Sequence, residues 1–276
     1  MVKAWHLALA LAAALLPLAM RAQTDVSLDP EAGGRISATA SKKLAKGLQA
    51  GLEGEARLGG NFQSLSRLQL TASVRYKPLP GVKVGAGYSL IAPYSQSSED
   101  FKSPRHRFMA DAQYSLRMGA WQLSLKERLQ ATLRTGDFNH YQQPGTLLGL
   151  KSRLMAKYRG LQRLTPYAAV ELRHVLNAPA VTALYDGTDY LTPSHTTTGE
   201  PGWFLDGFNS CYANRLRGLL GVEYRLDRSS TVDASLMLDW VNDKVVDANA
   251  EGTKLKSYTR ERGLAAWLCV GYEYSF

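Results

Sequence analysis

Cysteine, histidine and acidic residues are scarce in this 276-residue sequence, and beyond its first two dozen positions it has no long apolar run. Each shortage excludes something. Two cysteines, Cys211 and Cys269, are too few for a disulfide-built scaffold. Five histidines, scattered at 6, 106, 140, 174 and 195, do not supply the clustered ligands of a metal site, and no cofactor is expected. After position 22 nothing approaches the ~18 apolar residues of a membrane helix. A mean hydropathy of −0.23 does not thereby make the chain soluble. A transmembrane barrel gives the same average, because alternate residues face lipid and water.

The first residues are set aside before any fold reasoning. Met1-Val2-Lys3 is a short cationic start, 4–20 is an uncharged Ala/Leu-rich run broken by Pro17, and Ala22 offers a small residue for cleavage. That is the three-part pattern of a secretory signal peptide, assigned to 1–22, with the exported domain over 23–276. Lysine and arginine number 33 against 24 aspartates and glutamates, a formal charge of +9; losing Lys3 and Arg21 leaves +7. A basic balance points to nucleic acid, an anionic membrane or an anionic solute, and export removes nucleic acid from that set.

What the chain does have is strict period-two alternation, the signature of strands. Over 64–77, Leu68, Leu70, Ala72, Val74 and Tyr76 share one face, and Arg67, Gln69, Thr71, Ser73, Arg75 and Lys77 the other. Similar runs follow at 82–90, 107–117, 121–134, 148–158, 164–176, 212–226, 231–240 and 263–276, with weaker ones at 34–43 and 47–58. Connections alternate between short (45–46, 78–81, 118–120, 159–163, 227–230) and long (93–104, 135–146, 177–211, 241–262). Short turns at one end and long loops at the other is the layout of an antiparallel up-and-down transmembrane β-barrel. These runs make eleven strands, whereas bacterial single-chain barrels have even numbers. A short first strand over 24–29, turning through 30–34, is therefore expected, for about twelve in all, or ten if one weak run fails.

The aromatics on the apolar faces fall in two bands. Tyr76, Trp121, Tyr158, Tyr224, Tyr272, Tyr274 and Phe276 lie at the short-turn end, and Tyr88, Tyr94, Phe108, Tyr212 and Trp240 toward the long loops. Two girdles around an aliphatic band are what lipid interfaces select, which places Tyr76, Trp121, Tyr158, Tyr224 and Trp240 at membrane interfaces. Glu127 misfits, falling on the lipid face in mid-strand, and a β-bulge near 126–128 would re-aim it. The ending Tyr272-Glu273-Tyr274-Ser275-Phe276 resembles the C-terminal signal read by the barrel-assembly machinery of outer membranes. With the stretches Ser41-Lys42-Lys43-Leu44 to Arg57 and Asn214-Arg215-Leu216-Arg217 to Leu226, the chain is similar to a family of single-chain bacterial outer-membrane barrels known only as a domain of unknown function. The resemblance implies fold and location, and no catalytic residues come with it.

No histidine sits in a recognisable hydrolase motif, and Gly85-Ala86-Gly87 lies mid-strand with no helix to follow, so it is not a phosphate loop. The long loop 177–211 reads as a cover over the barrel mouth. Cys269 lies near the short-turn end and Cys211 on the order of 20 Å higher, beyond disulfide reach. The inward face is the informative one. From 47 onward it carries eighteen basic residues, among them Arg67, Arg75, Lys83, Arg107, Lys126, Arg128, Lys151, Arg153, Arg215 and Arg217, against eight acidic ones. A dry interior needs near balance, because an unpaired buried charge is very costly. The expectation is a narrow pore or pocket for small anionic solutes, or a structural barrel, in contact with outer-membrane lipid. The alternative is a lipid hydrolase or acyl-transfer enzyme, which requires a Ser/His pair on the lipid-facing wall.

Overall fold

The structure is a computed structural model that describes residues 24–184, 202–250 and 255–276. These contain no helix and thirteen strands: β1 (Thr24–Ser27), β2 (Glu31–Ala45), β3 (Leu48–Gly59), β4 (Ser64–Leu79), β5 (Val82–Ser95), β6 (Asp100–Phe101), β7 (Arg105–Met118), β8 (Trp121–Arg134), β9 (Thr146–Tyr158), β10 (Leu164–Leu184), β11 (Gly202–Arg225), β12 (Ser230–Ala248) and β13 (Leu255–Ser275). Apart from β1 and β6, each pairs with its sequence neighbours in antiparallel order, and β13 closes onto β2. The result is an eleven-stave up-and-down barrel. Gly47 and Gly81 take positive φ in the short turns, both at 79°, where any side chain would strain the backbone.

Eleven staves, not twelve, means that the first and last run the same way. β2 pairs β13 in parallel from Glu31 opposite Ala265 to Ser41 opposite Ser275. The strand expected before residue 30 exists as β1, but it does not turn back to form its own stave. It pairs with the upper part of β13, Thr24 opposite Thr259 to Ser27 opposite Arg262, and Leu28 N–H donates to the Arg262 carbonyl at 2.7 Å. β1 and β2 are thus one line along β13, with one extra residue inserted around Pro30. At this seam a Cβ on Gly33 would lie 2.4 Å from the Trp267 ring, so only glycine admits the inward indole. The seam is completed at its base by Phe276 N–H donating to the Ser41 carbonyl at 2.9 Å.

The wall is apolar outside and polar inside. Val170 is 54% exposed while the next residue, Glu171, is 3% exposed. Leucine, valine and aromatic side chains cover the outer surface, whereas Glu55, Gln130, Thr132, Arg217 and Asp239 are buried within. Soluble proteins do not expose apolar surface on this scale, and a lipid-facing barrel must. Tyr76, Trp121, Tyr224 and Trp240 are exposed on this outer surface, and Trp121 and Tyr158 stack with ring centroids 5.1 Å apart.

Three sequence expectations are corrected. The ladder of β8 runs without a register shift through Lys126, Glu127 and Arg128, so no bulge re-aims Glu127. Glu127 stays on the outer wall, and its Oε2 accepts a hydrogen bond from Ser152 Oγ at 2.6 Å. Tyr212 is not an outer girdle residue. A bulge between Arg173 and His174 inserts Asn214 into the opposite strand and turns Tyr212 inward, where it packs with Val175 and Ala178. The long connections 177–211 and 241–262 are in large part strand, because β10–β11 and β12–β13 continue upward as hairpins. The tip at 185–201, which carries His195, and the signal segment 1–22 lie outside the described residues.

Candidate functional site

Alternation sends every second side chain of eleven staves into the lumen, so the site follows from the inward sequence. A cavity of about 520 Å³ occupies the long-loop half, and its lining includes fifteen basic residues against five acidic ones. Nine of the ten lysines and arginines singled out from sequence lie on its wall: Arg67, Arg75, Arg107, Lys126, Arg128, Lys151, Arg153, Arg215 and Arg217. Lys83 lies below, within electrostatic range of Lys77, Arg75, Lys157 and Arg159. Sequence reasoning missed Arg35, Arg105 and Lys244. The first sits in a weakly alternating run, and the other two were assigned to loop or to a strand's very edge.

Register arranges these charges in a way that composition cannot show. Across β8, β9, β10 and β11, Arg128 lies opposite Lys151, Lys151 opposite Arg173, and Arg173 opposite Arg215. Across β2, β3 and β4, Arg35 lies opposite Arg57 and Arg57 opposite Arg67. Like charges directly opposite in a sheet are destabilising. In an eleven-stave ring the β2–β4 arc stands across the lumen from the β9–β11 arc. Arg107, on β7, is within electrostatic range of Arg57, Arg67, Arg128, Arg173 and Lys151, and so links the two arcs.

Carboxylates neutralise part of this girdle. Glu55 takes Arg57 Nε at 2.6 Å, Arg67 Nη2 at 3.3 Å and the Arg35 guanidinium. Asp111 accepts from Arg128 Nε at 3.0 Å and stands 3.0 Å from Lys126 Nζ. Glu171 holds Arg153 at 2.6 Å and Arg217 at 3.1 Å, with Lys151 farther off at 3.8 Å. Asp239 holds Arg217 at 3.0 Å and Arg215 at 3.2 Å. Among the described residues six lining cations make no ion pair, Arg75, Arg105, Arg107, Arg134, Arg173 and Lys244, and Arg107 and Arg173 are the two that belong to the opposed arcs and their link. Arg107 donates its Nε to Thr132 Oγ1 at 3.0 Å and makes no ion pair, Glu55 reaching it only at longer range. Arg173 makes no hydrogen bond or ion pair among the described residues, and its Nε is buried without an acceptor.

The two ends of the cavity differ. Toward the short turns, Ser124, Ala169, Ser235 and Met237 are buried and lie below the cavity wall. At the mouth, the 135–145 connection folds across from β8 to the β12–β13 hairpin. Asn139 Nδ2 donates to the carbonyls of Ala248 and Asn249 at 2.9 and 3.1 Å, and Gln142 Nε2 to Asp247 Oδ1 and the Ala248 carbonyl at 2.8 and 3.0 Å. Gln142, Gln143 and Pro144 thereby join the cavity lining. The described residues show this connection over the mouth, and the tip of 177–211 lies outside them.

Among the described residues no histidine is placed for nucleophilic chemistry with a serine. His106 Nδ1 lies 2.7 Å from Tyr88 Oη on the outer wall, and His140 packs its ring on Phe138 with centroids 4.3 Å apart. Among the described residues no histidine is hydrogen-bonded to a serine. Tyr272, Tyr274 and Phe276 are exposed at the short-turn rim.

No curated protein matches the sequence. Among solved structures, the chain is similar to the outer-membrane expressed OmpT of Vibrio cholerae, at 9% identity and a TM-score of 0.33, over 77% of this chain. The chain spans 60% of that protein's length. Residues 36–187, more than half of the sequence and the staves that carry Arg57, Arg107, Lys151 and Arg173, match the profile of a family described as protein of unknown function (DUF2490), and the chain belongs to that family.

Proposed function

We propose that this protein is an integral outer-membrane barrel whose basic lumen admits and holds small anions, as a narrow pore or a pocket. The observation that carries the reading is the fifteen-to-five excess of cations around the cavity. Low-dielectric walls focus such a field, and rings of lysine and arginine set anion preference in pores. A purely structural interior has no reason to keep two arcs of opposed like charges, which lower stability and are readily replaced by apolar side chains. Location in the outer membrane is supported by the closed barrel with its apolar exterior, and by the export pattern at 1–22. The exposed Tyr272, Tyr274 and Phe276 would serve the assembly machinery.

Reversal potentials in a planar lipid bilayer under a potassium chloride gradient test the reading. Chloride should be preferred over potassium, and the preference should weaken as salt screens the wall. Arg107→Glu with Arg173→Glu should move the reversal potential toward cations. A cation-selective unmutated protein would refute the proposal.

A further inference from the structure

The girdle holds more than a diffuse positive field. Arg107 and Arg173, three staves apart, lie within electrostatic range of each other and neither makes an ion pair, Glu55 and Asp243 reaching them only at longer range, and Lys151 stands 3.8 Å from Glu171, which is already held by Arg153 and Arg217. Four buried guanidinium Nε–H groups of the two arcs, those of Arg67, Arg173, Arg215 and Arg217, have no acceptor. A buried donor without an acceptor carries a desolvation cost, and its presence at several neighbouring positions, beside orphaned acceptors such as Asp239 Oδ1 and Asn214 Oδ1, leaves room for an acceptor supplied from outside the chain. A halide ion offers one charge and no geometry. An oxyanion offers several acceptor oxygens at once, and the planar guanidinium fork matches it two bonds at a time. The cavity, about 520 Å³, falls within the range of small-molecule sites and far exceeds the ~30 Å³ share of a single water.

We propose that Arg107, Arg173 and Lys151 form a binding site for a soluble multivalent oxyanion of the phosphate class, lying between the two cationic arcs. The proposal rests on the anion reading of the lumen and names its ligand chemistry. A soluble ligand is meant, because the girdle faces the lumen and the barrel wall separates it from lipid headgroups. The paired cations hold the neighbouring carboxylates in place and prevent the site from collapsing, while the unpaired ones supply the charge that the ligand neutralises. The Asn139–Gln142 strap lies over the mouth, so the ligand reaches the site beneath it.

Isothermal titration of the purified protein in a nonionic detergent, with chloride, inorganic phosphate and pyrophosphate as probes, tests this without requiring an open pore. Pyrophosphate should bind at least about tenfold more tightly than phosphate, and phosphate more tightly than chloride, as each further charge-assisted bond adds. Arg107→Gln and Arg173→Gln should each weaken pyrophosphate about tenfold or more. Arg173→Lys should fall between, since it keeps the charge and loses the fork. Arg159→Gln, exposed at the short-turn rim, should leave binding unchanged. Each glutamine variant relieves like-charge opposition, so its thermal midpoint should hold or rise, whereas a merely structural role would lower it. Pyrophosphate binding no tighter than chloride, or untouched by both glutamine variants, overturns the proposal. A chloride-selective reversal potential alongside that result would leave the lumen reading standing, and a cation-selective one with tight pyrophosphate binding would overturn the lumen reading alone.

Discussion

Glu55 carries the sharpest stability test in the molecule. Its side chain is 2% exposed and holds Arg35, Arg57 and Arg67, three cations that register places side by side. In Glu55→Gln the shape is kept and the charge is lost. Among the described residues the only other carboxylate in ion-pair reach is Glu53, 3.7 Å from Arg35, which leaves Arg57 and Arg67 with none. Removing one partner of a buried ionic network costs about 3–5 kcal/mol. The comparison is Glu223→Gln, which frees Lys157 in a pair whose side chains are 17% and 29% exposed. More accessible pairs are worth about 0–1 kcal/mol. Urea unfolding in lipid vesicles, followed by tryptophan fluorescence, should therefore separate the two variants by at least ~2 kcal/mol. Pyrophosphate at a hundred times its dissociation constant should return about 2.7 kcal/mol to Glu55→Gln, because it supplies the missing negative charge to the folded state alone. Equal stabilities for the two variants would show that the Glu55 cluster is solvated and that the girdle is not a desolvated site.

Other consequences follow from particular contacts. Asn139→Ala with Gln142→Ala removes four bonds from the strap to Asp247, Ala248 and Asn249, so stopped-flow association of pyrophosphate should quicken with its equilibrium affinity little changed; an unaltered rate would mean these bonds do not control entry. Glu127→Leu should stabilise the barrel in vesicles by up to about 2 kcal/mol, since a lipid-facing acid at mid-strand is unfavourable, whereas Ser152→Ala should destabilise it by about 1–3 kcal/mol by stripping Glu127 of its donor. Opposite signs are required, and a loss in Glu127→Leu would show that the carboxylate has a further partner. Asp227 accepts backbone hydrogen bonds from Ser229 and Ser230, which hold its carboxyl below the usual carboxylate range. Its contribution is present above the unfolded value of about 3.9 and is lost as pH falls through the lower folded value. The thermal midpoints of the protein and of Asp227→Ala should accordingly differ at neutral pH and converge in strong acid; a gap that persists there would assign the effect to turn shape instead of charge.

Alternation made most of this fold legible, because each lipid-facing position must be apolar and each lumen-facing one need not be. Leu68, Leu70, Ala72, Val74 and Tyr76 could be placed outside, and Arg67 and Arg75 inside, without any coordinates. Above the lipid this constraint lapses. The hairpin extensions of β10–β11 and β12–β13 break the apolar alternation, with Asn177, Ala178, Asn242 and Asp243 in the run, and so look like loops. A single inserted residue was equally invisible: Asn214 reverses the facing of the residues just before it on β11, Tyr212 included. The parity argument failed at a different point. It assumed that both chain ends lie on one side, whereas β1 and β2 follow β13 in parallel and let an odd number close.

The candidate site illustrates where such reading stops. Which face a residue occupies follows from its own strand, but which residue stands opposite follows from the relative register of two strands. Arg128, Lys151, Arg173 and Arg215 are separated by as many as 87 positions in the sequence (128 to 215), and nothing in any one run marks them as neighbours. Their juxtaposition also explains why Arg107 and Arg173 are spare. Glu55, Asp111, Glu171 and Asp239 each already serve at least two basic partners, and Asp243 pairs with Arg215 at 3.6 Å, so acids reach Arg107 and Arg173 only at longer range. One further inward acid beside Arg173 would have neutralised it at little cost to the wall. The empty-handed guanidinium is therefore a property of the arrangement, and in a water-accessible cavity it is a property that an anion can use.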